Sequence, residues 1–154
     1  MSEETHQFMD TPQDPREEVR KTFFQHVPEI QSGVVEIKTI AREPGVLSMV
    51  VVYAQDPIID PVGSCVGHRG DRVKAIVKQL SGEFVDIIRW SNSIEHFISN
   101  SLGPLGARKV TLDHETGRAL VTVDPSAARP SNSNPVRVRL ASKVSGWEIF
   151  LVEI

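Results

Sequence analysis

The chain has 154 residues, 40% of them hydrophobic, and a formal net charge of −3. It can bury a core, and it is too acidic for a broadly basic nucleic-acid binder. Its single cysteine excludes an internal disulfide and any multi-cysteine metal site, and the apolar stretch around Cys65 makes it a small buried hydrophobe.

Residues 1–15 are polar and acidic with two prolines, the composition of a disordered leader. A helix is predicted over Glu17 to Phe24, with Asp14 as cap and Pro15 at the first helical position. Val34 to Ile40 alternates apolar and polar residues, as a half-buried strand should. Glu43-Pro44-Gly45 is a turn, and Val46 to Ala54 is a second, valine-rich strand. Asp60-Pro61 opens a short helix ending near Gly67. Val73, Ile76, Val77 and Leu80 then recur at helical spacing and define a buried stripe, with Arg72, Lys74 and Lys78 largely outside it. Ser81-Gly82 stops this helix, and Phe84 to Trp90 is a third strand.

The order then restarts. Ile94, Phe97, Ile98 and Leu102 fit a helix capped by Ser91 or Ser93. Lys109 to Asp113 and Arg118 to Asp124 form a hairpin, Val136 to Val144 a helix, and Trp147 to Ile154 a closing strand. Helix–strand–strand–helix–strand thus occurs twice at a period of about 70 residues. Leu80-Ser81-Gly82 and Val144-Ser145-Gly146 echo one another before the two last strands. Units of about 70 residues are marginal alone, so the halves are expected to pack together through the helix at Ile94–Leu102.

Charge is uneven along the chain. Residues 62–80 carry four bases and one acid, and residues 126–145 carry four bases and no acid. Two positive segments on an acidic chain point to localised anion binding or to solvated helix faces. The densest chemistry is Val66-Gly67-His68-Arg69-Gly70-Asp71-Arg72, a Gly-x-x-Gly turn entering a helix. Glycines allow a tight turn and close ligand approach, and a helix start offers free N–H groups and a positive dipole end. His68 and Arg69, between the glycines, must point outward, an arrangement that suits a phosphodiester backbone.

No catalytic constellation stands out. Asp113, His114 and Glu115 cluster at a hairpin tip, where polar residues are expected anyway. Cys65 and His68 lack further ligands for zinc, and there is neither a phosphate loop with lysine nor a dinucleotide fingerprint. A non-enzymatic protein without metal or cofactor is the expectation. Trp90 and Trp147 read as core packing, with base stacking the alternative. No run reaches membrane-spanning length and no signal-peptide pattern opens the chain, so a cytoplasmic protein with no membrane partner is expected.

The segments VPEIQSGVVEIKTIAREPG, DPIIDPVGSCVGHRGDRVKAIVKQLSGE and VDIIRWS resemble the first KH domain of the NusA family of bacterial transcription elongation and termination factors. The likeness continues through HFISNSL and the hairpin to VRLASKVSGWEI, similar to the close of that family's second KH domain. It implies an α+β fold of two tandem prokaryotic-type (type II) KH domains, each a three-stranded sheet covered by helices, over 16–90 and 91–154 after the leader. It also implies single-stranded RNA, as nascent transcript, for a ligand, with RNA polymerase or other transcription factors as partners, in elongation, termination or antitermination.

On this reading Gly67 and Gly70 shape the clamp. His68, Arg69, Arg72, Lys74 and Lys78 contact phosphates, and Val66 and Val73 border the groove for unstacked bases. The family's polymerase-binding and β-barrel domains do not precede the match in this sequence, which puts polymerase docking in doubt. The second Gly-x-x-Gly slot reads Asn132-Ser133-Asn134-Pro135 and obstructs close backbone approach. Arg129, Arg137, Arg139 and Lys143 are left as a weaker, secondary RNA-binding set. The alternatives are a protein-interaction scaffold, its interface on the last helix, and a ribosome or RNA assembly factor.

Overall fold

The computed structural model describes residues 14–123 and 134–153. The first unit runs α1 (Pro15–His26), a short α2 (Pro28–Gln31), β1 (Glu36–Glu43), β2 (Leu47–Tyr53), α3 (Pro61–Val66), α4 (Asp71–Gln79) and β3 (Phe84–Arg89). The second runs α5 (Ile94–Leu102), β4 (Ala107–Asp113), β5 (Arg118–Val123), α6 (Asn134–Ser145) and β6 (Glu148–Glu153). The expected α+β architecture is observed: two three-stranded sheets, ordered β1-β2-β3 and β4-β5-β6. In each, the first pair is antiparallel and the second parallel.

The local predictions hold in type, with small shifts at the ends. Asp14 caps α1 by accepting the Arg16 N–H, and Ser93, rather than Ser91, caps α5 by accepting the His96 N–H. β1 begins later and ends later than its alternation implies, because Glu43 still pairs with Leu47 across the turn. The four-residue α2 was not predicted; Pro28 starts it and it is too short to show a period. The leader's residues 1–13 lie outside the described residues.

The repeat extends to a shared irregularity. The register slips between Ile37 and Thr39 in the first sheet and between Ala107 and Lys109 in the second. Lys38 and Arg108 are thus equivalent bulged residues.

Burial shows how the units combine. β2 is buried along both faces. Val50 and Val52 face a core with Val19 and Phe23 of α1, Cys65 of α3, Ile76 of α4 and Leu80 at the C-cap of α4. Leu47, Met49 and Val51 face the other way, into a core with Phe97, Ile98 and Leu102 of α5 and Leu140 and Ala141 of α6. That second core also takes Ala119, Val121 and Ile149 from the second sheet. The layers are therefore helices, sheet, helices, sheet, and α5 and α6 serve both sheets. Packing through the helix at Ile94–Leu102 is observed, and α6 shares in it.

Because the two sheets share one core, residues 91–154 expressed alone are expected to lose the partner of an entire helix face. Circular dichroism and urea titration should show no cooperative unfolding transition for this fragment, while the whole chain should give one.

Two ion pairs cross the same seam. Arg137 on α6 donates to Asp86 on β3 at 2.8 Å, and Arg139 donates to Glu43 on β1 at 3.0 Å. The Arg137 side chain is 11% exposed. Within the first unit, buried Glu83 accepts from the Arg42 guanidinium, from the Gly45 N–H at 2.9 Å and from the Ser48 hydroxyl. Arg42 also reaches Glu18 and the Pro15 carbonyl, both at 2.7 Å, and so ties α1 to the sheet.

Candidate nucleic-acid interface

The Gly-x-x-Gly segment sits between two helices. Asp60 caps α3 by accepting the Gly63 N–H at 3.0 Å, with Pro61 at the first helical position. α3 ends at Gly67, whose φ of 79° and ψ of 174° are open essentially to glycine alone. His68–Gly70 form a 3₁₀ turn in which Arg69 takes φ 55° and Gly70 φ 76°. α4 then starts at Asp71. Three left-handed residues within four thus reverse the chain tightly between α3 and α4.

The two glycines have different reasons to be there. A Cβ on Gly67 would lie 2.2 Å from Asp71 Oδ1 and 2.7 Å from Arg72 Cγ. A Cβ on Gly70 would meet nothing nearer than Lys74 Cε at 3.7 Å. Gly67→Ala is therefore expected to cost about 3 kcal/mol or more, from backbone strain plus overpacking. Gly70→Ala should cost about 1–2 kcal/mol, from handedness alone. Urea denaturation of the two variants checks the order.

His68 and Arg69 are exposed at the tip, as expected of residues between the glycines. Lys74 and Lys78 are exposed one turn apart on α4 and share a face. Among the described residues none of these four side chains makes an ion pair or hydrogen bond with a protein group. Val66 and Val73 are half-buried beside the turn. Asp71 places an acid in the first turn of α4, so its carboxylate already offsets the dipole end that free N–H groups would offer an anion. Cys65, behind the turn, is buried; desolvation pushes its thiol up to about 12, which keeps it uncharged and unreactive.

Arg72 is placed differently from the other bases. Its Nη1 donates to Glu29 Oε1 at 2.8 Å and to the Ser64 carbonyl at 2.7 Å, facing away from the tip. The secondary set is also divided. Arg137 and Arg139 face Asp86 and Glu43 across the seam, and Lys143 is exposed. Arg129, Asn132 and Ser133 lie outside the described residues, and Asn134-Pro135 opens α6.

One cluster escaped the sequence reading. Lys38, at the β1 bulge, stands 4.6 Å from the Tyr53 ring centroid and 5.9 Å from that of Trp90. Trp90 packs against Phe97 and lines, with Arg89, His96 and Asn100, an open groove of about 700 Å³. Alternation along β1 does not reveal this cluster, because the bulge resets which residues share a face. Among the described residues no group of three or more His, Cys, Asp or Glu side chains could hold a metal ion, and no helix is long and apolar enough to cross a membrane.

Known proteins resemble this chain at the same segments. The family model for the NusA-like first KH domain matches residues 13–90. The transcription termination/antitermination protein NusA of Rickettsia prowazekii is 44% identical over 133 residues, covering 84% of this chain and 26% of that protein. NusA of Thermus thermophilus is 44% identical over 130 residues, covering 84% and 34%, and that of Bacillus subtilis 41% over 132, covering 85% and 36%. The chain thus spans about a quarter to a third of these relatives. The crystal structure of APE1850 superposes with a TM-score of 0.56 at 17% identity, covering 85% of this chain and 96% of that one, a likeness of fold alone. With its Gly-x-x-Gly turn set between two helices over a three-stranded sheet, this chain belongs to the NusA-like KH-domain family.

Proposed function

We propose that the chain binds single-stranded RNA, without catalysis, through one clamp at Gly67–Gly70, and that its RNA is a nascent transcript undergoing elongation, termination or antitermination. The observation that carries this is the glycine-shaped turn with His68 and Arg69 exposed at its tip and Lys74 and Lys78 exposed on the adjoining helix, without an ion pair among the described residues. Phosphates neutralised by these groups give affinity, and unstacked bases lying along Val66 and Val73 give whatever sequence preference exists. The relatives' role in transcription supports the cellular assignment. Contact with RNA polymerase or other transcription factors belongs to the same proposal. Arg137 and Arg139 add little, since both are engaged at the seam, so the secondary contribution falls to Lys143.

The test is binding of a random-sequence single-stranded RNA across a salt series. About three neutralised phosphates predict a log–log slope near −2 for single strands. Affinity that does not respond to salt would overturn the clamp reading.

A second reading, a protein-interaction scaffold, has one observation in its favour. Leu120, Phe150 and Val152 lie exposed on the outer face of the second sheet. The interface expected on the last helix is less available, because α6 packs between the two sheets.

A further inference from the structure

We infer that Arg72 is a positioning residue of the clamp, held by Glu29, and not one of its phosphate ligands. The inference rests on the reading of Gly67–Gly70 as an RNA clamp. Sequence spacing groups Arg72 with Arg69, Lys74 and Lys78. The structure separates it from them.

Arg72 has its stem against Gly67, where an added Cβ would lie 2.7 Å from Cγ and 2.9 Å from Cβ of the arginine. Its guanidinium turns back across α3, and a single nitrogen bonds both Glu29 Oε1 and the Ser64 carbonyl. Ser64 lies in the last turn of α3, where carbonyls lack intrahelical partners and a cation is favoured. Glu29 lies on α2, outside the helix pair that carries the turn. One side chain therefore joins the helix before the clamp, the helix after it and a third element behind it. α3 is six residues long and cannot hold its own angle by helix propensity. Cys65 anchors α3 to the core, and the Arg72–Glu29 pair fixes the helix's end beside the turn, and so sets how the glycine turn presents to RNA.

The alternative makes the opposite prediction for Glu29. If Arg72 bound phosphate, Glu29 would compete for its guanidinium. Removing the acid would then free a positive charge, cancel a nearby negative one and tighten RNA binding. If Arg72 positions the turn, removing Glu29 loosens it and weakens binding despite the gain in net positive charge.

The probe is a random-sequence, fluorescently labelled 12-nucleotide RNA, with each variant measured well below its own melting temperature so that all molecules are folded. Glu29→Ala and Arg72→Ala are each expected to weaken binding about tenfold through lost preorganisation. The double variant should be no weaker than Arg72→Ala, and the salt slope of Arg72→Ala should match the wild type. Tighter or unchanged binding by Glu29→Ala would overturn the inference, as would a slope for Arg72→Ala shallower by about 0.7, one phosphate's worth. If Glu29→Ala does not fold, Glu29→Gln carries the same sign test, because a neutral amide holds the guanidinium less firmly. The His68→Asp/Arg69→Asp variant is the control. If it keeps full affinity the clamp reading itself fails; if it loses binding while Glu29→Ala tightens it, only the positioning role fails.

Discussion

Replacing His68 and Arg69 together by aspartate is expected to lower affinity for single-stranded RNA by about a hundredfold or more, about 2.7 kcal/mol, while the fold is kept. Both side chains are exposed at the tip of the turn and make no hydrogen bond or ion pair with a protein group among the described residues. Their substitution removes nothing from either core. Arg69 does sit at φ 55°, but aspartate tolerates the left-handed region better than most residues, so backbone strain is small. What changes is the field at the site. On the proposed clamp, two carboxylates would then face the phosphates from the tip of the turn. Fluorescence anisotropy with a random-sequence RNA reads the affinity, and an unchanged melting temperature verifies the fold. A folded double variant with wild-type affinity would refute the clamp.

The largest expected loss of stability lies far from the clamp. Glu83→Ala should destabilise the chain by about 3–5 kcal/mol, because it strips the buried Arg42 charge of its buried partner and leaves it only the exposed Glu18 and the Pro15 carbonyl. The Arg42 side chain is 8% exposed and that of Glu83 1%. The Gly45 N–H and Ser48 hydroxyl would lose their acceptor as well. Set against a typical domain stability of about 5–15 kcal/mol, this approaches global unfolding. Glu83→Gln keeps one oxygen to accept from Gly45, and its amide N–H can donate to the Ser48 hydroxyl instead, so it should cost less. Arg42→Ala combined with Glu83→Ala should cost less than the sum of the single changes.

The same carboxylate gives a pH signature. Burial alone would raise its pKa, but hydrogen bonds from Arg42, Ser48 and the Gly45 N–H outweigh that and hold it below the usual carboxylate range. A pKa lower in the folded than in the unfolded state adds stability above the unfolded value, about 4.3 for glutamate, and that stability disappears as pH falls through the folded one. Urea midpoints of the wild type should therefore fall on acidification below about pH 4.3, and Glu83→Gln should lack this part of the acid limb.

Much of the molecule was legible as local pattern. Helices and strands followed from period, caps and glycine stops, because those signals act over a few residues. Asp14-Pro15, Asp60-Pro61 and Ser93 each start a helix in the structure as the sequence implies. The Gly-x-x-Gly turn and the doubled order of elements were legible for the same reason. The tertiary structure decided what each cation does, since the partner of a charge is set by contacts remote in sequence. Arg72 meets Glu29, Arg137 meets Asp86 and Arg139 meets Glu43, pairs that no spacing along the chain announces. Nor does spacing show that alternate residues of β2 enter two different cores, which requires a second unit docked on the far face of the first sheet. Lys38 is the clearest case. Its place over Tyr53 and Trp90 depends on a one-residue slip between β1 and β2, and a strand register exists only once the strands have paired.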